Sequence, residues 1–103
     1  MDFSLRQLRV FRALARTEHF GRAAELLGLS QPTVSADIRS LERGLGLQLF
    51  VRSRAGTALT DEGVTLLPLA DRILSAAESL DDAAARLRQE PGTVRLAATP
   101  SLI

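Results

Sequence analysis

Residues 20–38 read Phe20-Gly21-Arg22-Ala23-Ala24-Glu25-Leu26-Leu27-Gly28-Leu29-Ser30-Gln31-Pro32-Thr33-Val34-Ser35-Ala36-Asp37-Ile38, and the architecture follows from how this stretch is punctuated. Gly21 to Leu27 reads as a short helix that Gly28 can stop with a left-handed cap. Ser30 is a good N-cap for the next helix, with Pro32 in a first turn where a missing N–H costs nothing. Two helices joined so closely make a helix-turn-helix, and the packing demands of that motif are met in order. Ala24 is small enough to let the following helix approach, Gly28 makes the turn, and Val34 anchors the second helix from beneath. An apolar stripe continues from Val34 through Ile38, Leu41 and Leu45, and Gly46 supplies the stop. Gly44 weakens the last turn by roughly 1 kcal/mol relative to alanine.

Upstream, Ser4-Leu5-Arg6-Gln7 fits a capping box, in which two orphan amides are satisfied reciprocally. Leu8, Phe11, Leu14 and Ala15 recur behind it at helical spacing, so a first helix is expected from about Leu5 to Thr17. Its other face carries Arg6, Arg9, Arg12 and Arg16, which a solvated surface explains better than contact with a ligand. Downstream, Leu47 to Arg52 and Thr57 to Leu59 are β-compatible runs around Ser53-Arg54-Ala55-Gly56, a plausible hairpin tip. Thr60 caps a fourth helix, with Asp61 and Glu62 suited to its dipole. That helix meets no convincing stop before Pro91-Gly92, and at 1.5 Å per residue it reaches roughly 43 Å. Pro68 is expected to bend it by freeing the Val64 carbonyl. Thr93 to Pro100 reads as one strand.

Composition removes several classes of function. The 103 residues include no cysteine, which excludes disulfides and thiolate metal sites. No apolar run is long enough to cross a membrane, and the N-terminus lacks the order of a signal peptide, so a cytoplasmic protein is expected. With one histidine and no tyrosine, acid–base or nucleophilic chemistry has almost no cast, and His19 has no partner at a telling spacing. An enzyme is not expected, and neither a metal nor a cofactor is expected in this chain. All 13 basic residues are arginine. That bias suits planar phosphate contacts, although genomic base composition explains it as readily. The net charge of +1 hides an asymmetry: residues 1–57 are basic and residues 58–103 acidic. A polyanion-binding head on a separate arm fits that division.

The face of the third helix opposite Val34 carries Pro32, Ala36, Arg39 and Arg43, flanked by Thr33, Ser35 and Ser40. Small, hydroxylated and arginine-bearing, it is suited to the major groove of duplex DNA, which admits one helix. Gln31 and Thr33 can hydrogen-bond base edges, the carbons of Pro32 and Ala36 can meet a thymine methyl, and Arg39 can reach guanine or phosphate. Asp37 is a cost near DNA, set toward the edge of the contact. Arg52 and Arg54 around the hairpin tip, and Arg22 early in helix two, are candidates for phosphate contact. The four phenylalanines include three in core patterns, so no stacking platform for single strands is visible. A protein-interaction module of the same fold, indifferent to DNA, is the rival reading.

The long helix carries Leu66, Ala70, Ile73, Ala77, Leu80, Ala84 and Leu87 at alternating spacings of four and three, an unbroken heptad seam. Large and alanine positions alternate, so an antiparallel partner sets each alanine against a large residue. A homodimer through this seam is expected, because the seam outruns a head so small.

These stretches resemble the N-terminal winged helix-turn-helix domain of LysR-type bacterial transcriptional regulators. The resemblance rests on Phe20 to Leu27, Leu29 to Ser35, Ile38 with Leu41-Glu42, Leu49-Phe50-Val51-Arg52, and Leu59-Thr60 with Gly63. It implies a mostly α fold: a winged helix-turn-helix head over residues 1–59, with three helices and a β-hairpin wing, then a long linker and dimerisation helix over 60–90. Residues 91–103 resemble the start of an effector-binding domain, so the chain is expected to be part of a much longer regulator. The resemblance further implies a dimer reading an interrupted palindrome, a recognition helix in the major groove, and a wing on phosphate or the minor groove. Full-length members are commonly tetramers and answer to a small-molecule effector held in the further domain. Carried over by position, Gln31, Pro32, Thr33, Ser35 and Arg52 fall where the family touches DNA. Three positions depart from the pattern. Ala36 stands where many members carry a base-contacting arginine, which shifts readout toward Arg39. His19 and Gly21 replace frequent hydroxyl residues, removing a phosphate ligand. Glu42 is expected to pair with an arginine.

Overall fold

The computed structural model describes residues 1–89. They form α1 (Leu5–Thr17), α2 (Phe20–Leu27), α3 (Gln31–Leu45), β1 (Phe50–Ser53), β2 (Gly56–Leu59) and α4 (Asp61–Gln89). The expected strand at Thr93 to Pro100, the helix stop at Pro91-Gly92 and the unit at 91–103 lie outside the described residues.

Each of α1, α2 and α3 begins and ends on a local chemical signal. At α1 the Gln7 N–H donates to Ser4 Oγ at 3.2 Å and the Ser4 N–H donates to Gln7 Oε1 at 3.0 Å. The same Gln7 amide donates to Ser40 Oγ at 3.1 Å, tying the start of α1 to α3. α1 ends on Glu18, a non-glycine residue in the left-handed region with φ 56°, whose N–H donates to the Leu14 carbonyl. α2 starts one residue earlier than the sequence pattern indicates, because His19 is its cap: Nδ1 accepts the Arg22 N–H at 3.1 Å. Gly28 (φ 68°) and Gly46 (φ 71°) stop α2 and α3, as left-handed caps require. Ser30 Oγ accepts the Thr33 N–H at 3.2 Å to open α3.

The three head helices enclose Leu8, Val10, Phe11, Ala13, Leu14, Ala23, Ala24, Val34, Ile38 and Leu41, joined by Leu49 and Phe50 from the base of the wing. Full burial of a side chain such as Phe11 or Leu41 contributes about 1.5–3 kcal/mol. Phe11 and Phe50 meet edge to face at 5.7 Å, the arrangement that ring quadrupoles favour.

The hairpin pairs Phe50 with Leu59, Val51 with Ala58, Arg52 with Thr57 and Ser53 with Gly56. Its first strand begins at Phe50 and not at Leu47, because the Leu49 N–H turns to Glu42 and the Thr60 carbonyl opposite it accepts from the Val64 N–H of the following helix. Glu42 Oε2 accepts the Leu49 and Phe50 N–H groups at 2.8 and 3.3 Å. The Leu49 carbonyl accepts the Thr60 N–H at 2.9 Å. Among the described residues Glu42 has no arginine partner of the kind the resemblance implies; the turn after Gly46 carries two backbone donors to it. Gly44 has a packing reason for its helix-weakening lack of a side chain: a Cβ there would collide with the Asp2 carbonyl of the N-terminal segment.

α4 opens as expected, with Thr60 Oγ1 accepting the Gly63 N–H at 3.0 Å, and it runs through Pro68 without interruption. Gly63, Ala70 and Leu74 are buried against the head, with Leu66 and Leu67 packed beside them. Leu69, Ile73, Leu80 and Leu87 are exposed. At 3.6 residues per turn the two sets lie about a quarter-turn apart. The heptad seam is thus divided: Leu66 and Ala70 are taken up by the chain's own head, and the apolar stripe left open runs through Ile73, Leu80 and Leu87. Arg12 Nη2 meets Glu78 Oε2 at 3.2 Å, bracing α4 one turn past Leu74.

Candidate nucleic-acid interface

Two of the residues singled out, Arg39 in the third helix and Arg52 in the wing, converge on Ser35. Its hydroxyl accepts from Arg39 Nη1 at 2.8 Å, one turn along α3, and from Arg52 Nη2 at 3.5 Å, across from β1. Arg52 also lies over the Phe20 ring, its guanidinium carbon 4.0 Å from the ring centroid. Side chains from α2, α3 and β1 thereby meet at one place on the surface. Two concave regions flank it. One of about 300 Å³ is lined by Gln31, Pro32, Ser35 and Arg52. The other, of about 370 Å³, runs deeper between α3 and β1, past Arg39, Glu42 and Gln48 to Phe50.

Gln31, Pro32, Ala36 and Arg39 are exposed along the outer face of α3. Gln31 is near the start of α2, where a Cβ on Gly21 would come within 3.8 Å of its side-chain oxygen. Thr33 is only half-exposed and its hydroxyl lies 2.8 Å from Ser30 Oγ, so part of its hydrogen-bonding capacity goes to the helix cap. Arg54, in the turn of the hairpin, and Arg22, in the first turn of α2, are exposed and stand apart from the Ser35 junction.

The arginine stripe of α1 divides between internal partners and solvent. Arg6 Nε meets Asp37 Oδ2 at 3.0 Å, so the one acid near the outer face of α3 carries a compensating charge. Arg12 is spent on Glu78, and Arg9 and Arg16 are exposed. Exposed guanidinium groups at Arg39, Arg52, Arg54 and Arg22, none of them in an ion pair among the described residues, make a surface suited to bidentate hydrogen bonds with phosphate or with a base edge. Sequence reasoning missed Phe20 in this surface, because its spacing marks it as core; it also missed Gln48, whose amide donates to the Phe50 carbonyl at 3.1 Å.

Residues 5–64 match the family model described as bacterial regulatory helix-turn-helix protein, lysR family. Over 84 residues the chain is 48% identical to the HTH-type transcriptional regulator IlvR of Caulobacter vibrioides, covering 82% of this chain and 28% of that protein. Among solved structures it resembles OxyR of Corynebacterium glutamicum in a hydrogen-peroxide-bound C206S mutant. That match has TM-score 0.78 and 45% identity, over 80% of this chain and 26% of that one. It also resembles a crystal structure of a CbnR_DBD–DNA complex, with TM-score 0.76 and 35% identity, over 84% of this chain and 99% of that one. The chain thus spans about a quarter of the length of the first two proteins and nearly the whole of the CbnR_DBD chain.

Proposed function

The chain belongs to the lysR family of bacterial regulatory helix-turn-helix proteins, and from that premise we propose that it reads double-stranded DNA for a transcriptional regulator. In this reading α3 enters the major groove, Gln31, Pro32, Thr33, Ala36 and Arg39 face base edges, and Arg52 and Arg54 of the wing grip phosphate or the minor groove alongside. Arg22 adds a phosphate contact at the start of α2. The observation that carries the reading is the junction at Ser35. Two exposed guanidinium groups from separate elements donate to one hydroxyl beside the exposed first turn of α3. A DNA complex of the CbnR_DBD chain, nearly all of which this chain matches, supports it. Catalysis has no place in the reading: the lone histidine serves as a helix cap.

The open stripe of α4 supports a homodimer, with Ile73, Ala77, Leu80, Ala84 and Leu87 set against a second copy. Two heads related by a two-fold axis read inverted half-sites one or more helical turns apart, an interrupted palindrome. A longer protein around this chain would form tetramers and answer to a small-molecule effector bound outside residues 1–89, in the cytoplasm.

Selection of bound duplexes from a random pool at near-physiological salt tests the reading. Recovery of an inverted repeat with a spaced centre is the expected result. Retention of no duplex at all would overturn it and favour a protein-interaction module.

A further inference from the structure

Arg52 is held from two sides before any ligand arrives. The Phe20 ring lies beneath its guanidinium and Ser35 Oγ stands at its edge. Phe20 opens α2 and is half-buried against the core, so the ring has a fixed seat. A four-residue strand in a two-stranded hairpin offers a long exposed side chain no such seat of its own. An arginine left free must be ordered when it meets its ligand, and that ordering subtracts from affinity. An aromatic face under the cation removes part of the cost in advance, through the ring quadrupole and through stacking that a planar guanidinium allows and an ammonium does not. Packing against the core requires only apolar bulk at position 20, which leucine would supply. A ring face turned to the wing is what leucine lacks.

We propose that Phe20 is a positioning residue for DNA binding: its ring holds Arg52 beside Ser35 in the free chain, so that the wing contact is pre-organised. The proposal rests on the reading that Arg52 touches the DNA backbone. The test uses the chain with Phe20→Leu, Phe20→Tyr, Arg52→Ala and the Phe20→Leu/Arg52→Ala pair, each checked for helicity. Affinity is measured on random-sequence duplex DNA, and the side-chain protons of Arg52 are followed by NMR in the absence of DNA.

In the parent the Arg52 Cδ protons should be shifted upfield by the ring current; the shift should survive in Phe20→Tyr and vanish in Phe20→Leu. Phe20→Leu should weaken duplex binding about fivefold, as expected for loss of one cation–π contact at an exposed site, and Phe20→Tyr should bind as the parent does. In the Arg52→Ala background Phe20→Leu should change affinity no further. An equal loss in both backgrounds, or unshifted Arg52 protons in the parent, overturns the positioning role. If Arg52→Ala weakens binding and Phe20→Leu does not, the positioning role falls while the DNA reading stands. A parent chain that binds no duplex sinks the reading and the proposal together.

Discussion

Glu42, in the last turns of α3, holds the fully buried Leu49 by its backbone: Oε2 accepts the Leu49 N–H at 2.8 Å and the Phe50 N–H at 3.3 Å. One carboxylate thereby fixes where the wing leaves α3, and with it the distance from Ser35 to Arg52. Hydrogen bonds to a charged acceptor contribute about 1.5–3 kcal/mol each, and an amide buried without a partner costs about 1–3 kcal/mol. Glu42→Ala should therefore lower stability by about 2–4 kcal/mol, and Glu42→Gln, which keeps an acceptor oxygen but not the charge, by less. Urea unfolding of the two variants measures this. A loss of a few tenths of a kcal/mol for Glu42→Ala would mean that the wing is anchored by Leu49 and Phe50 packing alone.

Gly63 and Gly44 both sit inside helices, where alanine is the better residue by roughly 1 kcal/mol, yet a Cβ at either meets backbone and alanine should cost more at Gly63. A Cβ on Gly63 would collide with the Leu49 carbonyl and come within 2.8 Å of Leu59 Cδ2. That carbonyl is already fixed by the Thr60 N–H at 2.9 Å, so the site cannot give way. Gly63→Ala should cost about 1–3 kcal/mol, the usual range for overpacking. At Gly44 the obstacle is the Asp2 carbonyl, at an exposed chain end but next to Phe3, which packs on the core, so Gly44→Ala should cost less than Gly63→Ala, about 1 kcal/mol. Thermal melts of the two variants decide between them; the reverse order would make the N-terminal segment the more rigid contact.

What was legible in the sequence is what lies within a few residues of its cause. The Ser4–Gln7 box, the caps at Ser30 and Thr60 and the stops at Gly28 and Gly46 declare themselves locally, and the helix ends follow from them. The cap at His19 was not legible, because an imidazole is not a usual capping group and its placement depends on Glu18 entering the left-handed region. Nor were Arg6–Asp37, Arg12–Glu78 and Phe20–Arg52, each of which joins residues that only the tertiary fold brings together. The rotation of α4 about its axis was hidden for another reason. Two of its faces are apolar, and the contact of Gly63 with Leu49 selects the one that meets the head.

The division of α4 into two faces predicts two distinct kinds of mutant. Leu74 is fully buried in the head, so Leu74→Ala should destabilise the chain by about 2–5 kcal/mol, as large-to-small changes in a packed core do. Leu80 is 72% exposed, and Leu80→Glu should leave the helicity of the head unchanged while converting a dimer to a monomer in sedimentation. A dimer that persists in Leu80→Glu would exclude the open stripe as the interface.

The surface around Ser35 should separate affinity from preference. On the proposed reading Arg52→Ala removes a charge set against phosphate, and phosphate contacts carry no sequence information. It should weaken binding to every duplex alike and reduce the slope of log affinity against log salt by about one. Gln31 is exposed at the first turn of α3 and carries no charge. Gln31→Ala should leave the salt slope intact and erase about 1–3 kcal/mol of discrimination between a selected site and random DNA. Arg39 sits between the two classes, because its bond to Ser35 at 2.8 Å holds it along α3, at the hydroxyl that Arg52 also meets. If Arg39 has taken over base readout there, Arg39→Ala will lose preference as Gln31→Ala does; a uniform loss with a shallower slope will place it on phosphate beside Arg52. Fluorescence anisotropy with selected and random duplexes across a salt series distinguishes these outcomes in one experiment. An unchanged slope for Arg52→Ala would remove the wing from the interface.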